Sequence, residues 1–258
     1  MAKETIKSAE AGSELSKTVM LVHGDKGGVG KTMVATAFID WANQQKIPLA
    51  LIDADMRNAD TIRMFKGDIA TKAVDLRRAE GWMDAVDFIM EKDDRHVIVS
   101  LAGGVGDKVI DEVPKIWEQI GKNRRLCMLW VMNRGPDSVN LLAQTLKALK
   151  PVLSAVIVVK NLYFGEPDQF TRWNESDLKK VFEAEGGITI CLADLVDRVV
   201  DKLFNEAGSV LPYSGAVVEP NDWANSPKNL SASENVRLRQ WMSENKGEFE
   251  RVAEAAKL

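Results

Sequence analysis

The sequence predicts a doubly wound α/β domain, a mostly parallel sheet with helices on both faces. Three observations point there. Short apolar runs of strand length recur along the chain, and they are nearly continuous rather than alternating, as strands buried on both faces require. The segments between them place apolar residues at helical spacing. A glycine-rich stretch stands between the first run and the first helix, at the carboxyl end of a strand, where such sheets bind ligands.

The elements follow in order. Residues 1–17 (MAKETIKSAEAGSELSK) mix Lys, Glu and Ser without apolar periodicity and are expected to form a mobile tail, with one domain spanning 18–258. Strands are expected at 18–22 (TVMLV), 48–54 (PLALIDA), 96–101 (HVIVSL), 126–132 (LCMLWVM), 154–160 (SAVIVVK) and 188–192 (ITICL). Val34, Phe38, Trp41 and Ala42 fall on one face of a helix after the first strand, and Val139, Leu142, Leu146 and Leu149 on one face of a later helix. Residues 206–232 are rich in Gly, Pro, Ser and Asn and read as a long irregular connection, a length at which loops are functional or disordered. Ser231 or Ser233 would cap a last helix reaching about Ala256, packed through Val236, Leu238, Trp241 and Val252.

Composition narrows the function classes. A chain of 258 residues with 45% hydrophobic and 28% charged residues, 18 Gly and 8 Pro is not disordered, collagenous or of low complexity. No apolar run approaches the roughly 18 to 20 residues of a membrane span and the first 17 residues hold no signal-peptide stretch, so a cytoplasmic, soluble protein is expected. A net charge of −4 and a pI near 5.4 argue against a globally basic nucleic-acid binder. Cys127 and Cys191 each sit in an apolar run without a CxxC partner and are expected to be core thiols. His23 and His96 flank strands singly, which supports neither a metal site nor a nucleophile triad.

Directly after the first strand comes His23-Gly24-Asp25-Lys26-Gly27-Gly28-Val29-Gly30-Lys31-Thr32, then a helix. A triphosphate needs this order. Backbone amides from Lys26, Gly27, Gly28, Val29, Gly30, Lys31, Thr32 and Met33 form a nest closed by the helix's positive end, Lys31 reaches the β- and γ-phosphates, and the Thr32 hydroxyl ligates Mg²⁺. A dinucleotide reading, suggested by Gly28, Gly30 and Asp53, fails at Met33, where a third glycine is required.

In the ordinary GxxxxGK[ST] pattern the first glycine would fall at Asp25, and instead a second lysine, Lys26, precedes the glycines. Residues 26–32 resemble the deviant Walker A loop of the ParA/MinD family of P-loop ATPases. The resemblance implies the P-loop NTPase fold, with ATP and Mg²⁺ as cofactors and an ATP-dependent homodimer. It also implies that Lys26 reaches the partner's phosphates as an arginine finger would. Lys26, Lys31 and Asp53 are the expected catalytic residues, Asp53 acting on Mg²⁺ through water. Asp55, in the same segment, is a switch residue or the cap of a turn.

The third strand, where the family carries a Walker B aspartate, ends in Ser100, whose hydroxyl brings no charge, so hydrolysis is expected to be slow. Gly103 and Gly104 could offer an N–H to the γ-phosphate or form a plain turn. Asn161, at the end of the fifth expected strand, resembles the family's adenine reader, with Asn133 a rival. A weaker likeness, in length, loop position and the long segment before the last helix, is to the TraL-type proteins of conjugal transfer.

The cargo or regulatory protein is not readable. Lys122-Asn123-Arg124-Arg125 is expected to be a solvated turn, and most of the seven Trp are expected to be packing residues. DNA binding would need a basic patch of Arg237, Arg239, Lys246 and Arg251. The last helix is too mixed in charge to be a membrane anchor. The expectation is a dimeric switch ATPase that positions or assembles DNA or a large complex. The alternatives are a nucleotide-gated binding protein without turnover and a metabolic P-loop enzyme.

Overall fold

The computed structural model describes residues 17–24, 26–56, 60–204, 210–220 and 222–258. The expected tail therefore lies outside the described residues except for Lys17, which already belongs to the first strand. Seven parallel strands form one sheet: β1 Lys17–His23, β2 Leu49–Asp53, β3 Ala70–Ala73, β4 His96–Ser100, β5 Arg124–Met132, β6 Ala155–Asn161 and β7 Ile188–Leu192. Their order is β3-β2-β4-β1-β5-β6-β7. The chain winds to one side of β1 as far as β4, then crosses to the other side for β5, β6 and β7. The crevice where winding reverses lies at the carboxyl end of β1.

Six strands lie where the apolar runs predict them. The seventh, β3, is a short edge strand (ATKA) with no fully buried residue, so it carries no hydrophobic signal.

The helices are α1 Lys31–Gln44, α2 Asp60–Phe65, α3 Ala79–Glu91, α4 Gly106–Ile120, α5 Pro136–Leu149, α6 Thr171–Asn174, α7 Asp177–Ala184, α8 Asp197–Phe204, α9 Tyr213–Ala216 and α10 Ala232–Ala256. Alternate residues of each strand face opposite sides of the sheet. Met20, Val22, Ile98 and Leu129 pack with Phe38 of α1 and Trp241 of α10, whereas Val19, Leu21, Val97 and Val99 pack with Phe88 of α3 and Val113 of α4.

Ser231 caps α10, accepting the Glu234 N–H at 3.4 Å while the Glu234 carboxylate accepts the Ser231 N–H at 2.6 Å. Leu238, Trp241, Phe249 and Val252 are buried, but Val236 is 45% exposed. It falls off the face set by the others, which corrects its expected packing role.

Three further expectations are corrected. The segment 206–232 is no simple surface connection: in its described part Tyr213, Ala216 and Leu230 enter the core, and Asp40 of α1 accepts the Ser214 N–H at 2.9 Å and hydroxyl at 2.6 Å. Residues 205–209 and Asn221 lie outside the described residues. Arg124 is buried rather than solvated, and its guanidinium donates to the carbonyls of Ile89, Lys92 and Arg95 at 2.8, 2.6 and 3.0 Å, closing the end of α3. Cys127 is a core thiol that burial pushes up to about 11, but Cys191 is only half-buried.

Candidate phosphate-binding site

The glycine loop joins β1 to α1 at the winding reversal. Gly30 occupies the N-cap of α1 with φ 95°, and no side chain accepts a hydrogen bond from the first turn. The amide groups that begin the helix thus have no side-chain cap, the arrangement that suits an anion. A Cβ at Gly30 would lie 2.1 Å from the Asn161 amide nitrogen, so both conformation and space demand glycine there. Asp25 lies outside the described residues.

The two loop lysines have different surroundings. Lys31 is buried, and its ammonium donates to the Lys26 carbonyl at 2.7 Å, folded back over the loop's own backbone. The Lys26 side chain is 57% exposed and pairs with Asp137, in the first turn of α5. Nothing near Lys26 in sequence points to a partner so distant. Behind the loop, in the first turn of α1, Thr32 follows Lys31 and the Met33 sulfur accepts from the Tyr213 hydroxyl at 3.1 Å, so the strap after α8 braces the loop's exit.

Register brings the acidic side together. Asp53 on β2 pairs with Ser100 on β4, which in turn neighbours Val22 on β1. The Ser100 carbonyl accepts the Ala54 N–H at 2.9 Å, fixing the turn after Asp53. Asp53 is 2% exposed; its Oδ1 accepts the Asp55 N–H at 3.0 Å, while Oδ2 is buried and meets no partner among the described residues. Burial, above all, pushes its carboxyl up to about 6; the Asp55 N–H and the Thr61 hydroxyl oppose the rise, and the nearby Asp55 and Asp60 charges add to it. A buried carboxylate at the carboxyl edge of the central strands fits the water of a hydrated Mg²⁺.

After β4 the chain turns at Gly103 and Gly104. A Cβ on Gly103 would lie 3.1 Å from the Gly27 amide nitrogen, so this turn rests directly on the phosphate loop. Asn161, the expected adenine reader, stands at the end of β6 beside the loop. Its amide nitrogen donates to the Val29 carbonyl at 3.0 Å and its Oδ1 accepts the Tyr163 N–H at 3.2 Å. The buried amide ties the loop to the end of β6. The rival Asn133 accepts from the Gly135 N–H at 2.7 Å and the Ser138 hydroxyl at 2.9 Å, which shapes the start of α5.

On the last helix Arg237 meets Gln240, Arg239 meets Glu219 and the Val218 carbonyl, Lys246 meets Glu250, and Arg251 meets Glu248. Among the described residues no helix is long and apolar enough to cross a membrane.

A parallel sheet whose first strand feeds a glycine loop and a helix N-terminus, with a lysine in the loop and an acid on the next strand, defines a P-loop nucleotide-binding domain. Residues 20–182 match the family described as CobQ/CobB/MinD/ParA nucleotide binding domain, and the chain belongs to that family. It is 30% identical over 223 residues to Protein MobD of Acidithiobacillus ferrooxidans, covering 84% of this chain and 97% of that one. Among solved structures it is similar to a nucleotide-binding protein in complex with ADP from Archaeoglobus fulgidus, at 14% identity and a TM-score of 0.42, covering 69% of this chain and 82% of the other. It is also similar to chloroplast FtsY from Physcomitrella patens, at 13% identity and a TM-score of 0.47, covering 63% and 56%.

Proposed function

We propose that the chain binds ATP with Mg²⁺ at residues 26–33 and acts as a slow switch ATPase, pairing with a second copy when ATP is bound to position or assemble DNA or a large complex, of the partition or conjugal-transfer kind. The observation that carries this reading is the contrast between its two lysines. Lys31 is buried over its own loop, whereas Lys26 stands exposed at the rim and, among the described residues, its ammonium is tied only to a surface carboxylate. An exposed ion pair of this kind contributes little, so Lys26 can exchange Asp137 for a phosphate presented by another protomer.

The loop amides and Lys31 would hold the phosphates, Thr32 and Asp53 would hold Mg²⁺, Asp53 through water, and Gly103 would sense the γ-phosphate from its seat on Gly27. Bound Mg²⁺ supplies charge neutralisation at the phosphates. Asp53 is then the only carboxylate among these groups. Ser100 adds a hydroxyl but no charge, which supports slow turnover.

The same Ser100 favours a second reading, a nucleotide-gated binding protein without turnover. Light-scattering mass with ATP and Mg²⁺, with ADP and without nucleotide tests the switch. A mass that doubles with ATP alone is expected; an invariant mass overturns it. Phosphate release no greater than that of Lys31→Ala would favour the second reading.

A further inference from the structure

Helix α3 has two apolar faces. Gly81, Ala85, Phe88 and Ile89 point into the core, as the sheet requires. Ala79, Met83, Val86 and Met90 recur at spacings of four, three and four, and so form a second stripe along the opposite side. Met83 is 67% exposed and Met90 53%. The stripe flanks a groove of about 440 Å³ between α3 and α4, where Trp82 and Ile116 add apolar wall. The Trp82 indole nitrogen donates to the Leu76 carbonyl at 2.9 Å, which holds the ring in place.

The groove's charge is uneven. Arg77 and Arg78 precede α3 and Lys108 lies in the first turn of α4, so all three gather at the end where both helices begin, where they outnumber the two carboxylates of those first turns, Glu80 and Asp107. None of these side chains is paired with a carboxylate among the described residues, although other surface cations of this chain are. Of the two carboxylates in the lining, Glu112 is paired with Lys115 at 3.2 Å, which leaves Asp87.

We infer that this groove docks an acidic amphipathic helix of a partner protein, its apolar stripe on Ala79, Met83, Val86 and Met90 and its carboxylates on Arg77, Arg78 and Lys108. The stripe runs for about 16 Å, three turns of a docked helix. Exposed methionines suit such a surface because their unbranched, polarisable side chains adapt to the knobs of another helix. The cations select the sign of the partner. The inference stands apart from the nucleotide reading: no residue of the phosphate loop lines the groove.

The test uses the full chain without nucleotide and two fluorescein-labelled synthetic helices with one leucine stripe, flanked by glutamates in the first and by lysines in the second. Anisotropy titration is expected to show the glutamate peptide binding about tenfold or more tightly than the lysine peptide. Met83→Glu should weaken it about tenfold, and Arg78→Glu with Lys108→Glu should reverse the preference. All three positions are exposed, so thermal melts should be unchanged and a folding loss would be seen separately. Equal binding of both peptides, binding by neither, or binding that survives both variants would overturn the inference. So would self-association of the wild type that Met83→Glu abolishes, because a second copy would then occupy the groove.

Discussion

Asp53→Asn is expected to make the nucleotide-free protein more stable at neutral pH while removing its response to Mg²⁺ and ATP. In the folded chain the carboxyl is raised from 3.8 to about 6, chiefly because burial disfavours its charged form. An acid whose folded pKa lies above its unfolded value binds more protons when folded, so stability falls as pH rises from about 4 to about 6 and stays reduced above that. The difference corresponds to roughly 3 kcal/mol at pH 8. Asparagine keeps a carbonyl oxygen for the Asp55 N–H but cannot ionise. Urea denaturation in EDTA at several pH values reads the effect: the variant's advantage over wild type should grow by roughly 2.4 kcal/mol between pH 4 and pH 8. A difference independent of pH, or a variant less stable than wild type at pH 8, would refute the account of Asp53 as an acid held at the protein's expense for a cation. The same variant should show no Mg²⁺-dependent rise in melting temperature with ATP, whereas wild type should.

The remaining predictions concern the loop and its supports. Lys26→Ala should retain ATP binding by calorimetry and lose the ATP-dependent mass doubling, whereas Lys31→Ala should lose binding itself; equal retention of doubling would remove the role of Lys26 toward a partner. Asn161→Ala deletes the bond to the Val29 carbonyl and should cost about 1 to 3 kcal/mol of stability together with ATP affinity. If stability were unchanged and ATP were weakened more than GTP, the tie to the loop would be dispensable.

His23 is buried edge-on against Trp130, with neither ring nitrogen bonded among the described residues, and burial, with Lys31 nearby, lowers it to about 3. His23→Phe should therefore stabilise by about 1 kcal/mol or more, measured by urea denaturation. The gain should widen as pH falls from 6.5 toward 3, because the unfolded histidine takes up a proton that the folded one refuses.

Local chemistry made much of this protein legible from its sequence. Six strands announced themselves because residues buried on both faces must be apolar, and the phosphate loop did because only glycines allow its backbone to turn its amides inward. Ser231 or Ser233 likewise marked the start of the last helix, and the structure chose Ser231 through its exchange with Glu234. What tertiary structure alone decided involves residues far apart in the chain. The edge strand β3 has no hydrophobic signature to read. Arg124 becomes a buried tie only because β5 passes the end of α3. Asn161 meets Val29 only because β6 brings it beside the loop, and Lys26 meets Asp137 across 111 residues. The Asp53 carboxyl is raised because the sheet closes over it, and the second stripe of α3 acquires meaning only once the first is seen to be buried. Periodicity and turn chemistry act over a few residues, whereas burial and charge depend on which distant segments the fold brings together.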